Sequence, residues 1–269
     1  MASLRTRSIL IVAGVGAIVT LGLLLLTVNA ACPSQERDAA CTRVLFIGNS
    51  YTTVNDLPGV FASLARSGGH RVETKSAAVD GWTLVNHADS PATATALTAS
   101  PWDIVVLQEQ SQIPAIEEFR QTQMYPDARR LIGSIRNRGA RPLLYLTWGR
   151  RDGWPETGMP TYASMQSAID DGYLAIAADQ RVAISPVGYA WASVVTSEAA
   201  ASLWQQDGSH PSEAGTYLAA CVFYATIFRQ SPKGLGYHGS LSAEAAGMIQ
   251  SVAAETVLGD PAKWPAPAE

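Results

Sequence analysis

The chain has 269 residues, enough for one α/β domain of ordinary size with a full hydrophobic core. Its formal net charge is −4, and no basic run or stripe interrupts this mild acidity. Because proteins that bind nucleic acids carry clustered positive charge, we expect no nucleic-acid partner.

The first thirty residues have the pattern of a targeting segment. Arg5 and Arg7 precede an uncharged apolar run from Ile9 to Val28, and Val28-Asn29-Ala30 offers a small-residue cleavage site. Residues 1–31 are therefore predicted to be a signal peptide. The run of about 20 residues is also just long enough to span a bilayer, so an uncleaved signal anchor is the alternative. Either way we expect an exported protein, secreted or anchored to the outer face of the cytoplasmic membrane.

The three cysteines agree with export. Cys32 and Cys41 could close a small loop before the first strand, whereas Cys221 falls inside an apolar helical run and is interpreted as a buried thiol. Lipidation of Cys32 is a third possibility for the N-terminus, although Asn29 stands where a lipobox carries a leucine-like residue. Residues 32–41 are interpreted as a short polar linker.

Short apolar runs then alternate with longer amphipathic ones, which is typical of βαβ units and a mostly parallel sheet. The predicted strands are Arg43–Ile47, Arg71–Ser76, Asp103–Leu107, Pro142–Thr147 and Arg181–Ile184. The predicted helices are Leu57–Arg66, Tyr125–Arg138, Tyr162–Ala178, Ser212–Phe228 and Gly239–Leu258. These elements predict one domain over residues 42–260, followed by a loose tail over residues 261–269.

Three irregular connections follow predicted strands, over residues 80–101, 108–123 and 148–160. In an open parallel sheet, ligands bind where loops leave the carboxyl ends of the strands. The third connection contains Trp148, Arg150 and Trp154, whose indole and guanidinium groups could form a substrate platform. A salt-bridged surface turn is the alternative interpretation of this loop.

Ser50 lies where the first strand runs into a Gly48-Asn49-Ser50 turn, a position poorly suited to packing and well suited to chemistry. A serine hydroxyl becomes a good nucleophile when an imidazole takes its proton and a carboxylate orients that imidazole. Of the four histidines, only His210 has a carboxylate, Asp207, three residues before it in a turn. An ordinary turn followed by a helix start is the alternative for that stretch.

Together these stretches resemble the SGNH, or GDSL-like, hydrolase superfamily. The resemblance rests on Phe46-Ile47-Gly48-Asn49-Ser50, on Gly81 after the second strand, on the polar end of the third strand, and on Asp207-Gly208-Ser209-His210-Pro211 before the last strongly apolar helix. It implies a flavodoxin-like α/β/α sandwich around a five-stranded sheet. It also implies Ser50 as nucleophile, His210 as general base, Asp207 as its orienting carboxylate, and the N–H groups of Ser50 and Gly81 as oxyanion donors.

The chain departs from this family at the third strand, where Leu107-Gln108-Glu109-Gln110-Ser111 replaces the usual Gly-x-Asn-Asp motif. The family's asparagine gives a third oxyanion donor. Gln110 aligns with that asparagine and can donate the same hydrogen bond from a longer stem, and Gln108 is the second candidate. Glu109 is interpreted as a structural or substrate-contacting carboxylate.

The resemblance implies a serine esterase that needs no cofactor or metal and acts on a small-molecule or carbohydrate ester. The N-terminal pattern adds export, and the indole and guanidinium groups of residues 148–154 suggest an acetylated sugar as the substrate. A cell-surface glycan- or lipid-binding protein that retains the fold without catalysis is the alternative. Metal-dependent phosphodiester hydrolysis, with Asp207 and His210 as ligands, has less support, because two residues are too few for a closed metal site. Membrane contact is expected only through the N-terminal segment.

Overall fold

The computed structural model describes Cys32, residues 40–197 and residues 202–267. The predicted signal peptide or anchor and most of the predicted linker lie outside these residues. No helix in the described ranges is both long enough and apolar enough to cross a membrane.

A sheet of five parallel strands forms the middle layer, as predicted. The strands run in the spatial order β2-β1-β3-β4-β5. Their bounds are β1 Thr42–Gly48, β2 Val72–Ala78, β3 Ile104–Leu107, β4 Arg141–Tyr145 and β5 Ala183–Ser185. The last strand begins later than predicted because Arg181 adopts a left-handed conformation, with φ of 51°, that ends the preceding helix.

In the described part of the chain, ten helices connect and cover the strands, together with short 3₁₀ turns at Val54–Asp56, Ile113–Ala115 and Pro155–Thr157 and a π-turn at Arg120–Met124. Their bounds are α1 Ser50–Thr53, α2 Leu57–Ser67, α3 Leu84–Ala88, α4 Pro91–Thr98, α5 Glu117–Phe119, α6 Tyr125–Arg136, α7 Tyr162–Gln180, α8 Val187–Thr196, α9 Glu213–Phe228 and α10 Ala243–Leu258. The five predicted helices are confirmed, with ends shifted by up to four residues.

Alternate residues of each strand pack into two hydrophobic cores, one on each face of the sheet. Val44 and Phe46 of β1 face the core that contains α2, α8, α9 and α10. Leu45 and Ile47 of the same strand face the core that contains α6 and α7. This two-sided burial is the reason that β1, β3 and β4 are rich in consecutive apolar residues, whereas the edge strand β2 is more polar. It makes the fold a three-layer α/β/α sandwich.

The longest helices of the described chain that were not predicted are α8 and α4. Helix α8 contains Gly188 and two adjacent valines, which are weak helix formers, but its Trp191 is fully buried in the core. Helix α4 falls in a connection predicted to be irregular, and the Ser90 hydroxyl caps it by accepting the Thr93 N–H at 3.2 Å. Burial and capping override the low propensity in these segments.

The prediction of a loose tail is wrong for the described residues up to Pro267. The Trp264 side chain is only 3% exposed and packs edge-on against Tyr189. Its carbonyl accepts a hydrogen bond from the Arg229 guanidinium at 2.8 Å. The buried indole therefore attaches the tail to the domain.

Cys32 and Cys41 form a disulfide, as the sequence suggested, and Cys221 is a buried free thiol in α9. The disulfide links the N-terminal segment to the start of β1.

Glu109 is a fully buried carboxyl group that connects two of the loops at the carboxyl edge of the sheet. Its Oε1 accepts the N–H of Leu84 at 3.1 Å and the N–H of Gln110 at 2.7 Å. Its Oε2 has no hydrogen-bond partner among the described residues. Burial, only partly offset by these two hydrogen bonds, raises the pKa of Glu109 to about 7.

We predict that Glu109 makes the free energy of unfolding decrease as the pH rises from 4.5 to about 7. Its pKa is higher in the folded than in the unfolded chain, so the folded state binds more protons in this range. The contribution is complete below the unfolded pKa and is lost as the pH rises through about 7, for a total of up to ~3 kcal/mol. Urea unfolding at several pH values measures it.

Glu109→Gln should flatten this dependence, whereas Glu118→Gln, which changes an exposed carboxylate, should leave it as in the wild type. Asp170, whose pKa burial raises to about 6, contributes in the same direction in every variant and therefore cancels from the comparison. Equal slopes for wild type and Glu109→Gln would contradict the prediction.

Candidate active site

Ser50 stands at the carboxyl end of β1 as the first residue of α1. The Asn49 side chain caps this short helix by accepting the N–H of Tyr51 at 3.1 Å. The N–H of Ser50 has no acceptor among the described residues and points away from the helix, as first-turn N–H groups do. The serine therefore presents both a hydroxyl and a free N–H at the edge of the sheet.

Ser50, His210 and Asp207 form a continuous hydrogen-bonded line. Ser50 Oγ lies 2.9 Å from His210 Nε2, and His210 Nδ1 lies 2.5 Å from Asp207 Oδ2. Because Asp207 can only accept when ionised, Nδ1 is the ring nitrogen that donates to it, and Nε2 is the one that faces the serine hydroxyl. The three residues come from the two stretches that the sequence singled out.

Asp207 is held in its ionised form although it is partly desolvated. Burial raises its pKa, but hydrogen bonds from the His210 side chain and from the N–H groups of Ser209 and His210 outweigh that effect and leave the pKa below its usual value. The Oδ1 atom accepts those two N–H groups at 2.9 and 3.0 Å. The carboxylate is thus fixed on one side by backbone while its other oxygen orients the imidazole.

The loop that carries His210 is tied to the nucleophile turn and to the core. The Tyr51 hydroxyl lies 2.8 Å from Ser209 Oγ, and the Trp148 indole N–H donates to the Ser209 carbonyl at 3.0 Å. On the other side of the histidine, Asn55 Nδ2 donates to the Pro211 carbonyl at 3.0 Å. Asn55 makes this contact from a left-handed conformation with φ of 57°.

The prediction that Trp148 forms part of a substrate platform is wrong. Its side chain is fully buried, with one face stacked on Tyr51 at 4.6 Å between ring centroids and the other on Trp191 at 3.9 Å. Both faces of the indole are therefore covered by protein. Trp148 therefore supports Tyr51 from the core, and neither face of its indole is open to a sugar.

The turn that contains Gly81 packs against the nucleophile turn. The Val79 N–H donates to the Gly48 carbonyl at 3.1 Å, and Asn49 Nδ2 donates to the Trp82 carbonyl at 2.8 Å. Gly81 has a φ of 74°, a left-handed conformation that favours glycine. Its N–H has no acceptor among the described residues, so Ser50 and Gly81 both offer free backbone donors at the site.

His87 supports this turn from the core. Its Nε2 donates to the Gly48 carbonyl at 2.8 Å, and its Nδ1 then accepts from the Thr93 hydroxyl at 2.9 Å. Burial lowers the pKa of this imidazole and keeps it neutral. His87 is thus a structural histidine with both ring nitrogens satisfied.

Gln108 is excluded as an oxyanion donor, which corrects the second of the two predicted candidates. Its side chain is fully buried, and Nε2 uses both hydrogens, on Asn49 Oδ1 at 2.8 Å and on the Glu109 carbonyl at 2.7 Å. Its Oε1 accepts from the Asn49 N–H at 2.9 Å and from the Thr52 hydroxyl at 3.0 Å. The amide is fully occupied in holding the nucleophile turn.

Gln110, unlike Gln108, has a side chain that remains partly exposed. It is half-buried and lines the cavity beside Ser50. Its Oε1 accepts the N–H groups of Gln112 at 2.7 Å and Ile113 at 3.3 Å, which fixes the orientation of the amide. Its Nε2 makes one long hydrogen bond, 3.3 Å, to Gln112 Oε1. One N–H of Gln110 is therefore available to a ligand.

A cavity of about 350 Å³ opens above Ser50. Residues from the nucleophile turn, the Gly81 turn, the Gln110 loop, the Arg150 loop and the histidine loop line it: Asn49, Ser50, Tyr51, Asp80, Gly81, Gln110, Ser111, Arg150, Ser209 and His210. Arg150, one of the predicted substrate-binding residues, is part of this wall. Trp154 is not among the lining residues, which corrects its predicted role, and its ring centroid lies 6.0 Å from the Arg150 guanidinium carbon.

The sequence did not single out Tyr51, Asn55 or Ser209, although all three position the candidate triad. Tyr51 directly follows the serine and Ser209 directly precedes the histidine, so adjacency to the motifs is the one signal that could have found them. The contact of Asn55 with Pro211 spans 156 residues, and no local pattern indicates it.

This arrangement has the parts needed for acyl transfer. It combines a hydroxyl with a proton acceptor, an oriented imidazole, and free N–H groups that converge on one cavity. In the described part of the chain, no group of three or more His, Cys, Asp or Glu side chains is placed to hold a metal ion.

No model of a known protein family matches the chain, and no curated protein matches it in sequence. Solved structures do match. A protein from Slackia heliotrinireducens that is assigned to the SGNH hydrolases is 30% identical, with a TM-score of 0.60, over 69% of this chain and 98% of that one. A DUF4886 family protein from Bacteroides uniformis is 19% identical, with a TM-score of 0.67, over 81% of this chain and 95% of that one.

An acetyl-xylooligosaccharide esterase from Geobacillus shares the fold at 16% identity and a TM-score of 0.51, over 75% of this chain and 97% of that one. An esterase from Pseudoalteromonas and a lipase/acylhydrolase from Enterococcus faecalis, 12% and 13% identical, also share the fold. With 30% identity across nearly the whole Slackia protein, and with the parallel sheet described above, the chain belongs to the SGNH hydrolases.

Proposed function

We propose that this protein is a serine esterase in which Ser50 is the nucleophile, His210 the general base and Asp207 the carboxylate that orients it. The observation that carries the proposal is the hydrogen-bonded line from Ser50 Oγ to His210 Nε2, 2.9 Å, and from His210 Nδ1 to Asp207 Oδ2, 2.5 Å, beside an open cavity. Both distances are within hydrogen-bond reach without any rearrangement.

In the first half of the reaction, His210 Nε2 takes the Ser50 proton while Oγ bonds to the ester carbonyl carbon. The negative charge that forms on the carbonyl oxygen is stabilised by the N–H groups of Ser50 and Gly81 and by the free N–H of Gln110. When the tetrahedral intermediate collapses, the bond to the alcohol breaks and His210 returns the proton to the leaving oxygen.

In the second half, a water molecule replaces the alcohol. His210 takes a proton from this water as it attacks the acyl-serine carbonyl, and the same three donors stabilise the second oxyanion. Collapse then releases the acid and returns the proton to Ser50. Because Asp207 stays ionised throughout, it stabilises the imidazolium that forms twice in the cycle.

The substrate is a carboxylic ester. The sequence suggested an acetylated carbohydrate because of the Trp148 loop, but Trp148 is buried and the described lining of the cavity contains no tryptophan. The esterase from Geobacillus shares only the fold, at 16% identity. Because one fold serves many reactions, its substrate does not identify the substrate of this protein. We propose export from the cytoplasm, which is supported by the N-terminal sequence pattern and by the Cys32–Cys41 disulfide.

We expect the wild type to hydrolyse p-nitrophenyl acetate and Ser50→Ala to lose at least ~10³-fold in kcat/KM, because the nucleophile is removed. His210→Ala should lose activity to a similar degree. Ser251→Ala serves as the control, because its hydroxyl only donates to the Gly247 carbonyl of its own helix. Equal rates for wild type and Ser50→Ala would rule out the proposed nucleophile.

Gln110→Ala should lower kcat by ~10²- to 10³-fold with little change in KM, since the donor acts on charge that develops in the transition state. Gln112→Ala is the matched control: it removes the partner of Gln110 at 3.3 Å but no proposed donor, and should cost far less. Steady-state kinetics with p-nitrophenyl acetate compares the two. A kcat in Gln110→Ala equal to that of the control would show that Gln110 does not contact the oxyanion.

A further inference from the structure

Arg150 is a cation without a counter-ion in the wall of the cavity. Its Nε is buried and has no hydrogen-bond partner, and no carboxylate of the described residues forms an ion pair with its guanidinium. The neighbouring Arg151 differs in both respects, because it is exposed and pairs with Asp152 at 3.1 Å. Arg150 is half-buried, and its guanidinium carbon lies 6.0 Å from the Trp154 ring centroid, but its buried Nε lacks an acceptor that a ligand could supply.

The backbone around Arg150 is fixed. The Gly149 N–H donates to Gln166 Oε1 at 2.8 Å, the Arg150 N–H contacts Met165 Sδ at 3.3 Å, and the Arg151 N–H donates to the Gly208 carbonyl at 2.8 Å. These three contacts hold the loop to α7 and to the loop that carries His210. Arg150 is thus placed by the scaffold, which reduces the entropy that a ligand must overcome to use it.

The sheet order separates Arg150 from the one carboxylate in the cavity wall outside the triad. Asp80 follows β2 and Arg150 follows β4, and these strands lie on opposite sides of the β1-β3 pair. Asp80 accepts a hydrogen bond from the Thr53 hydroxyl at 3.1 Å. Outside the triad, the two charged side chains of the cavity wall, Asp80 and Arg150, therefore lie on opposite sides of the cavity.

This polarity assigns the two ends of a bound ester, if the proposed esterase mechanism holds. The carbonyl oxygen must face the N–H groups of Ser50 and Gly81, and the alcohol oxygen must face His210, which protonates it. The Arg150 loop is bonded to the His210 loop through Gly208. Arg150 therefore lies on the side of the cavity where the alcohol part of the substrate would leave.

We propose that Arg150 binds a carboxylate carried by the alcohol portion of the ester, so that the natural substrate is an acylated hydroxy acid. A guanidinium pairs with a carboxylate through two parallel hydrogen bonds and so fixes orientation as well as charge. One unpaired cation matches the single charge of a carboxylate. The inference rests on the esterase function proposed above but adds a specificity that the triad does not determine.

The test compares two esters that differ in one charge, 3-acetoxybenzoate and methyl 3-acetoxybenzoate. The wild type should prefer the charged ester, and Arg150→Gln should lower the ratio of the two kcat/KM values at least ~10-fold. Arg151→Gln, the adjacent arginine outside the cavity, should keep the wild-type ratio. A ratio that is the same in wild type and Arg150→Gln would overturn the proposal.

A third ester, p-nitrophenyl hydrogen succinate, carries the carboxylate on the acyl side. An effect of Arg150→Gln on this ester relative to p-nitrophenyl acetate, with none on 3-acetoxybenzoate, would overturn the assignment to the alcohol portion.

Binding to Ser50→Ala separates the two proposals. Calorimetry should show that adding Arg150→Gln to Ser50→Ala weakens 3-acetoxybenzoate binding at least ~10-fold and leaves the methyl ester less affected. If the wild type hydrolyses no ester but this binding difference is present, the esterase proposal fails and the role of Arg150 stands. If hydrolysis depends on Ser50 but neither the ratio of the kcat/KM values nor the binding of 3-acetoxybenzoate depends on Arg150, the esterase proposal stands and the role of Arg150 fails.

Discussion

The paired amides of Asn49 and Gln108 hold together the strand ends on which the whole site is built. Gln108 accepts the backbone N–H of Asn49 at 2.9 Å and donates to its side-chain oxygen at 2.8 Å. This pairing joins the end of β1 to the end of β3 in a fully buried environment, where an unmade hydrogen bond is costly. It also requires glycine at position 48, because a Cβ there would overlap Gln108 Oε1.

The remaining parts of the site are attached to this pair by short links. Asn49 also holds the Gly81 turn through the Trp82 carbonyl, and the Glu109 carboxyl group holds Gln110 through its N–H. Tyr51, stacked on buried Trp148, contacts the histidine loop at Ser209. Every proposed catalytic group is thus positioned by a buried polar or aromatic contact, which is how a site keeps its geometry while its own atoms remain exposed.

The sequence was sufficient to predict the features that local patterns determine. The parallel sheet followed from alternating apolar runs, and Ser50, Asp207 and His210 stood in compact motifs beside turn residues. Local patterns were not sufficient where a side chain could face either the core or the cavity. Gln108 and Gln110 are the same residue type two positions apart, and the tertiary contacts with Asn49 decide that Gln108 is internal.

The wrong predictions for Trp148 and Trp264 have a related cause. Trp148 and Trp264 both lie in segments of loop composition, which suggested exposure, yet each is at most 3% exposed. Indoles are large enough to gain substantial free energy from burial even when the surrounding chain is irregular. Whether such a ring covers the core or faces a ligand depends on residues far away in the sequence, here Tyr51 and Trp191 for Trp148.

The central claim is that Ser50 is an activated nucleophile, and labelling with a fluorophosphonate followed by peptide mass spectrometry tests it most directly. A fluorophosphonate reacts with a serine whose proton has an acceptor, and it requires no knowledge of the substrate. We expect one adduct, on Ser50, that is lost in Ser50→Ala and forms more slowly in His210→Ala. Absence of an adduct on Ser50, or equal labelling of wild type and His210→Ala, would contradict it.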